Sequence, residues 1–420
     1  MRVLLLNQFY PPDPAPTGWY LHGLAQELVR RGHDVKVLCS HGAYDGNAAF
    51  PAREMIDGVK VRRLSASAFG RRGFAGKMAD YTSFYLSVAG ALIMDRFQPD
   101  LVLSLTSPPY LGLLAKAAAF RAGGRHAHWI MDVYPDVMAA HGMARDRGIW
   151  FRCLQVLTRF QFLGAHTVLA LGPVMGERLA EYVNHTDGAT VHSIPLWSDP
   201  DLEGGDALEV DFLRANRGWG REETVFLYSG NMGLGHRFGE FLEAAAWLGR
   251  SGPRWVFSGG GKRRKDVEDF ARVHPEARIE FSTYVPQDQL RAHLRAADVH
   301  LASLDTAWQG LMVPSKLQAS FAAGRPVLFV GGRRSETAAW IEESGGGWVV
   351  ERNDLCGLLQ AIQQATDPEE RHRRGAAAFE FAQKNFNQNK NCAQIACLLE
   401  GGAPSPSPAL DAAFQSSRAF

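Results

Sequence analysis

Three groups of residues in this chain have the types and spacing to line a ligand cleft, and the first of them suits a phosphoryl anion. The first is Tyr228-Ser229-Gly230-Asn231-Met232-Gly233-Leu234-Gly235-His236-Arg237. Glycines between an apolar strand and a helix let backbone N–H groups converge on an anion at the positive end of the helix dipole, and Arg237 adds a charged fork. The second is Lys316 in the stretch Val313 to Glu336, where Pro314-Ser315 suits a helix start, Gly324 a helix stop, and Val327 to Val330 a short buried strand. Lys316 before the helix, and Gly331, Gly332 and Glu336 after the strand, are placed to line one cleft. The third is Asp132, a carboxylate following the apolar run that ends in Ile130-Met131. Each has a plain structural counterpart: a tight βα turn with Arg237 in solvent, an ordinary αβ unit with solvated charges, and a loop cap.

Those side chains need an alternating αβ framework to bring them together, and the hydrophobic periodicity supplies one. Arg2 to Leu6 reads as a buried strand, Gly18 to Arg31 as a helix with Leu21, Leu24, Ala25 and Leu28 on one face, and Asp34 to Cys39 as the next strand. A βαβ start implies a right-handed parallel crossover. Further strands are expected at Val59 to Leu64, Leu101 to Leu105, His128 to Met131 and Val168 to Leu171. After Val191 to Pro195, the proline-bearing stretch Leu196-Trp197-Ser198-Asp199-Pro200 reads as a connection between domains. The alternation then restarts, with strands at Thr224 to Tyr228, Trp255 to Phe257, Ile279 to Phe281 and Val299 to Ala302. The fold class is therefore α/β, with two doubly wound Rossmann-like domains facing a cleft. Residues 1–197 form the first and 198–380 the second. Residues 381–400 make a terminal helix, and 401–420, with Pro-Ser-Pro-Ser-Pro, a flexible tail.

Composition narrows the function. A chain of 420 residues exceeds the usual single-core limit of about 250–300. Its 45 Lys plus Arg against 44 Asp plus Glu leave a net charge of +1, so no nucleic-acid partner is expected and any anion site must be local. The five cysteines are scattered, without metal-type spacing. Val3 to Leu6 is too brief for a signal-peptide core, and Phe84 to Met94 too short for a spanning helix, so a soluble or peripheral cytoplasmic protein is expected. A dinucleotide oxidoreductase would carry Gly-x-Gly-x-x-Gly after the first strand; Phe9 to Gly18 carries four prolines instead.

A set of motifs lies in order along the chain: Asn7-Gln8-Phe9-Tyr10-Pro11-Pro12-Asp13 through Thr17-Gly18, Arg31-Gly32-His33-Asp34-Val35, Thr106-Ser107-Pro108-Pro109, Asp132-Val133-Tyr134-Pro135-Asp136, Tyr228 to Gly233, Tyr284-Val285-Pro286, Ala297-Asp298-Val299-His300-Leu301 and Pro314-Ser315-Lys316 through Ala322-Ala323-Gly324-Arg325-Pro326-Val327 to Ser335-Glu336. Together they resemble the family 4 glycosyltransferases, particularly bacterial polysaccharide enzymes similar to fucosaminyltransferases. The resemblance implies a GT-B fold whose last helix crosses back onto the N-domain. It also implies a nucleotide-sugar donor, UDP-linked, and a retaining transfer to a glycan or polyprenyl-linked acceptor. No metal and no cofactor are expected.

By that resemblance the donor diphosphate lies at Gly230, Asn231 and Gly233, with Arg237 and Lys316 as its cations. The base lies between Gly260 and Tyr284-Val285, while Ser315 and Glu336 complete the donor site. Thr17 and Gly18 meet the donor from the N-domain, and Asp132 contacts the sugar. The run Lys262-Arg263-Arg264-Lys265 beside Gly259-Gly260-Gly261 opposes a helix dipole, which a nearby anion would relieve. One departure stands out: where the family carries Glu-x7-Glu, this chain has Leu311 and Ala319, with Gln309 the nearest polar stand-in. A catalytically silent nucleotide-sugar-binding homologue and a nucleotide-sugar epimerase on the same fold therefore stay open. Finally, Phe69-Gly70-Arg71-Arg72-Gly73-Phe74 and Lys77 ahead of Tyr81, Phe84, Tyr85 and Leu86 interleave cations with aromatics, a pattern suited to a peripheral membrane contact or equally to a loop entering a core helix.

Overall fold

Alternating apolar strands and amphipathic helices build two parallel sheets. The computed structural model describes residues 1–42, 50–67, 69, 73–143, 148–183, 189–202, 204 and 207–403. Met1–Ile194 with the chain from Asn389 form one compact unit, and Pro195–Gln388 form the second. Gly70, Arg71 and Arg72 of the cation-aromatic stretch, and the tail from 404, lie outside the described residues.

The first unit contains β1 (Arg2–Leu6), α1 (Pro16–Arg30), β2 (Asp34–Ser40), β3 (Arg53–Ile56), β4 (Val59–Leu64), α2 (Phe74–Met94), β5 (Leu101–Ser104), α3 (Gly112–Ala122), β6 (Arg125–Trp129), α4 (Asp136–Ala140), α5 (Ile149–Phe162), β7 (Thr167–Ala170), α6 (Pro173–Val183) and β8 (Val191–Ser193). Its eight strands run in the order β3-β4-β2-β1-β5-β6-β7-β8. All neighbours are parallel except β3, which pairs antiparallel with β4 through Arg53–Arg62 to Ile56–Val59. The reversal of strand order falls between β1 and β5. One difference from the sequence reading concerns β6, which ends at Trp129 rather than Met131. Its residues Arg-His-Ala-His-Trp look polar, yet His126 and His128 are buried, and burial pushes their pKa values down to about 4 and about 3, so they pack as neutral rings. Phe84, read as a possible membrane contact, belongs to the core with Leu4, Leu38 and Val102.

The second unit contains α7 (Ala207–Asn216), β9 (Val225–Ser229), α8 (Gly239–Leu248), β10 (Arg254–Ser258), α9 (Arg264–Val273), β11 (Ile279–Ser282), α10 (Gln287–Ala296), β12 (Val299–Leu304), α11 (Lys316–Ala322), β13 (Val327–Gly331), α12 (Glu336–Ser344), β14 (Gly347–Val350), α13 (Leu355–Ala365) and α14 (Pro368–Asn385). Its six strands, all parallel, are ordered β11-β10-β9-β12-β13-β14, the doubly wound pattern with its switch point between β9 and β12. Both sheet faces are covered, as a parallel sheet requires. Phe226, Tyr228, Trp255 and Phe257 fill one side, and Val225, Leu227 and Val256 the other.

The last helix, α15 (Gln388–Glu400), packs with the first unit. Polar groups fix it there. Arg31 Nη1 donates to Glu400 Oε2 (2.9 Å) and Arg31 Nη2 to Ala393 O (3.1 Å), while His33 Nε2 meets Glu400 Oε1 at 2.8 Å. Partial burial opposes ionisation of Glu400, but His33 and Arg31 outweigh it and hold the carboxyl below its ordinary value. A depressed carboxylate pKa contributes stability above the unfolded-state value, which is lost as pH falls through the folded one. Glu400→Gln should therefore cost about 1 kcal/mol at neutral pH, with the difference lost in acid as pH falls through the folded-state value. Urea denaturation of both proteins at the two pH values checks this.

Candidate functional site

The switch point of the second sheet is where the chain gathers its most reactive groups. β9 and β12 pair only through Phe226–Val299 and Leu227–His300, although both strands run on beyond these residues. The loop after β9 fills the opening. His236, buried there, meets Ser303 O of β12 through Nδ1 at 2.7 Å. Burial, with Lys316 as a second cause, pushes the His236 pKa down to about 3, so the ring is neutral. A carbonyl can only accept, which assigns the proton to Nδ1 and leaves Nε2 as an acceptor. Lys316 Nζ donates to that Nε2 at 3.2 Å and to Asn231 O at 3.4 Å. The same ammonium sits 4.9 Å from the centroid of the Tyr228 ring, whose hydroxyl donates to Asn231 O at 2.7 Å.

Lys316 is thus held by a histidine lone pair, a carbonyl and an aromatic face. None carries a full negative charge, and desolvation pushes its pKa down to about 8. It also opens α11, where a cation opposes the helix dipole. An anion entering the crevice would stabilise the ammonium on both counts. Two of the three ammonium donors are used internally, which leaves one for such a ligand.

The glycine loops set the walls. Gly230 has φ +128°, and a Cβ there would stand 3.0 Å from Lys316 Cε, so a side chain would displace the lysine. Gly259, φ +122°, packs so tightly that its Cβ would lie 2.2 Å from Gly230 O. Backbone bonds join the two loops, Met232 N to Gly260 O at 2.6 Å and Gly230 N to Ser258 O at 2.9 Å. Asn231 lies in the first loop, and Gly233 accepts from His236 N at 3.2 Å. Gly260 faces Tyr284, whose ring is exposed and offers a flat apolar surface, while Val285 is half-buried beside it. In the basic run, Arg264 donates to Ser282 O (3.0 Å) and Arg263 to Leu234 O (3.3 Å), Lys265 pairs with Asp269, and Lys262 stays exposed.

The other residues singled out from the sequence take varied places. Arg237 does not extend freely toward an anion: Nη2 donates to Glu240 Oε1 (2.8 Å), Nη1 to Asp305 Oδ2 (3.3 Å), and its backbone N–H to Ser303 Oγ (3.0 Å). Ser315 is exposed immediately before Lys316. Glu336 is buried in the first turn of α12, where a carboxylate suits the dipole, and the preceding Ser335 caps the helix by accepting from Ala338 N. Leu311 is buried and Ala319 packs against the core around Leu227, so the positions of the absent carboxylates are apolar. Gln309 reaches over Gly332, where a Cβ would fall 1.6 Å from its Nε2.

Thr17, Gly18 and Asp132 belong to the first unit. Thr17 Oγ1 accepts from the buried Asn7 at 3.3 Å, and Gly18 lies under the Phe9–Tyr10 backbone, 3.0 Å from a would-be Cβ. Asp132 lines a small cavity with Tyr110, Tyr134, Thr158 and Gln161. Desolvation, partly opposed by Lys77, pushes its pKa up to about 6, so it can exchange a proton near neutrality. Among the described residues no three His, Cys, Asp or Glu side chains gather as a metal site.

His236, the partner that fixes Lys316, was passed over in the sequence because a histidine in a turn carries no periodic signal. The pairing of Arg237 has a measurable consequence. Removing it strands the buried Glu240 carboxylate, so Arg237→Ala should cost about 1.5–3 kcal/mol in chemical denaturation. Arg237→Ala combined with Glu240→Gln should recover part of that loss.

Residues 17–224 match the "Glycosyl transferase 4-like domain" family and residues 223–367 the "Glycosyl transferases group 1" family. The chain is 27% identical over 364 residues to the probable glycosyltransferase WbjE of Pseudomonas aeruginosa, covering 86% of this chain and 89% of that one. It is 25% identical over 385 residues to the putative colanic acid biosynthesis glycosyl transferase WcaI of Escherichia coli K12, covering 88% and 89%. Anabaena Alr3699/HepE, solved in complex with UDP and glucose, superposes with a TM-score of 0.68 at 15% identity, covering 96% of this chain and all of the other.

Proposed function

The chain belongs to the glycosyltransferases that join a 4-like domain to a group 1 domain in the GT-B fold, and from that premise we propose a donor, an acceptor and a stereochemical course. The donor is a UDP-linked sugar, the acceptor a glycan or polyprenyl-linked glycan in cell-surface polysaccharide biosynthesis, and the transfer proceeds with retention. Support for the donor comes from the chemistry of the crevice and from HepE, whose complex contains UDP and glucose. Support for the pathway class comes from WcaI, named for colanic acid biosynthesis.

The single observation that carries the reading is the Lys316 ammonium, desolvated and without a carboxylate among its described partners. In the transfer, the bond between the anomeric carbon and the diphosphate oxygen breaks, a bond forms from the acceptor hydroxyl oxygen to that carbon, and the hydroxyl proton passes to the departing diphosphate oxygen. Negative charge accumulates on the departing diphosphate. Lys316 faces that charge, held in place beforehand by His236 and Asn231, so little reorganisation is needed as the bond breaks. The loop from Gly230 to Gly233 runs beside the phosphates, with the Gly230 and Met232 N–H groups committed to Ser258 and Gly260, and Tyr284 offers its exposed ring to the base. Asp132, which titrates near neutrality, takes the sugar- or acceptor-side role. Arg237 acts through Asp305 and Ser303, setting the wall of the crevice.

Lys316→Ala should keep the fold and lower turnover of a UDP-sugar by about two to three orders of magnitude, the scale for one preorganised charge-stabilising group. Asp132→Asn should impair transfer more than UDP binding. Released UDP, measured against a panel of UDP-sugars and lipid-linked acceptors, reads both. Unchanged turnover in Lys316→Ala would remove the assignment. The apolar positions of Leu311 and Ala319 favour a second reading, a nucleotide-sugar-binding homologue without turnover. Tight UDP-sugar binding with neither transfer nor hydrolysis would select it.

A further inference from the structure

The outer surface of α5 is built unlike that of a solvated helix. Ile149, Trp150, Val156 and Phe160 are all exposed, as is Leu163 immediately after the helix, and Trp150 keeps 79% of its surface in solvent. The spacing of these residues puts them on one broad face, opposite the buried Phe151, Thr158 and Phe162. The apolar surface continues onto α3, where Phe120 is 88% exposed. Lys116 of α3 ties the two helices together by donating to Phe160 O and Leu163 O, both at 2.7 Å, while its ammonium lies 4.2 Å from the Phe160 ring centroid. So extended an exposed apolar face, fixed by specific bonds, marks an interaction surface.

Charge decides what covers it. Neither α3 nor α5 contains an aspartate or glutamate; their charged residues are Lys116, Arg121, Arg152 and Arg159. A second copy related by a twofold axis would bring this cationic patch against itself, with no carboxylate on either helix to pair with it. An anionic surface with an apolar interior satisfies both features. Trp150 and Phe160 can enter the headgroup boundary while Arg152 meets lipid phosphates. No described helix is long and apolar enough to cross a membrane, so the contact would be interfacial.

We infer that the α3–α5 face is a docking surface for an anionic lipid bilayer, which brings the first unit to the membrane where a polyprenyl-linked acceptor resides. This deepens the proposed transfer to a lipid-linked acceptor and rests on that reading for its purpose, but its physical content is separable. Of the cation-aromatic stretch read from the sequence, Phe84 is buried in the core while Phe69 and Leu86 are exposed.

The test is co-sedimentation of the full chain with vesicles of phosphatidylcholine, with and without phosphatidylglycerol. Wild type should bind the mixed vesicles, and binding should fall as salt rises. Trp150→Ser with Phe160→Ser should weaken it by at least about tenfold, given the apolar area removed. Arg152→Glu should do the same, since each cation near an anionic surface contributes appreciably. Both variants change exposed side chains, so melting temperature and UDP binding should stay at wild-type values. Three results would overturn the inference: no binding by wild type, equal binding to vesicles lacking phosphatidylglycerol, or a concentration-dependent dimer that Trp150→Ser abolishes. A protein that sediments but transfers no sugar would leave the docking surface standing and remove the proposed activity. Transfer to a soluble acceptor without sedimentation would do the reverse.

Discussion

A lysine ammonium kept partly out of water, with no described carboxylate to neutralise it, is the constraint on which the second unit turns. Such a group is costly in a folded protein unless its environment supplies hydrogen-bond acceptors or a ligand supplies charge. Lys316 receives the acceptors from His236 and Asn231 and an aromatic face from Tyr228. The charge is left for a ligand to supply. That imbalance distinguishes it from Arg237, whose guanidinium is matched by Glu240 and Asp305 and whose work is to hold the loop against β12.

The rest of the unit can be followed outward from this point. The switch between β9 and β12 separates the strand ends, and the separation admits a histidine ring between Tyr228 and Ser303. The neutral tautomer of His236 follows from burial and from the Ser303 carbonyl. That tautomer is what gives Lys316 an acceptor rather than a competing cation. Gly230 keeps the space beside the lysine stem clear, and Gly259 lets the neighbouring loop brace the first. Strand order, loop packing and protonation state therefore bear on one nitrogen atom.

Much of this was legible in the sequence because the relevant signals are local. Runs such as Val225 to Tyr228 and Val327 to Val330 announce buried parallel strands, and the glycines of Gly230 to Gly235 and Gly259 to Gly261 announce turns at their ends. Strand β4 falls at Val59–Leu64, the bounds expected from its pattern. What escaped is non-local or runs against composition. β3 is a four-residue edge strand, two of its residues charged, that pairs antiparallel with β4. β6 carries two histidines that pack as neutral rings, which displaced its expected position toward the more apolar residues after it. Arg237 looked free because Asp305, its second partner, comes 68 residues later in the chain. The exposure of the apolar face of α5 is not legible in the sequence, since periodicity shows that a helix has an apolar stripe and not whether anything covers it. In each case the deciding partner lies in another element.

The account stands most directly on the ionisation of one side chain, which NMR of isotope-labelled lysine can follow, with Lys316→Arg to assign the resonance. In the ligand-free protein the Lys316 ammonium should titrate near about 8, well below its ordinary 10.5. Saturating UDP should raise that midpoint by at least about one unit, because an anion in the crevice stabilises the charged form. A Lys316 that titrates in the ordinary lysine range, or whose midpoint is indifferent to UDP, would contradict the central claim.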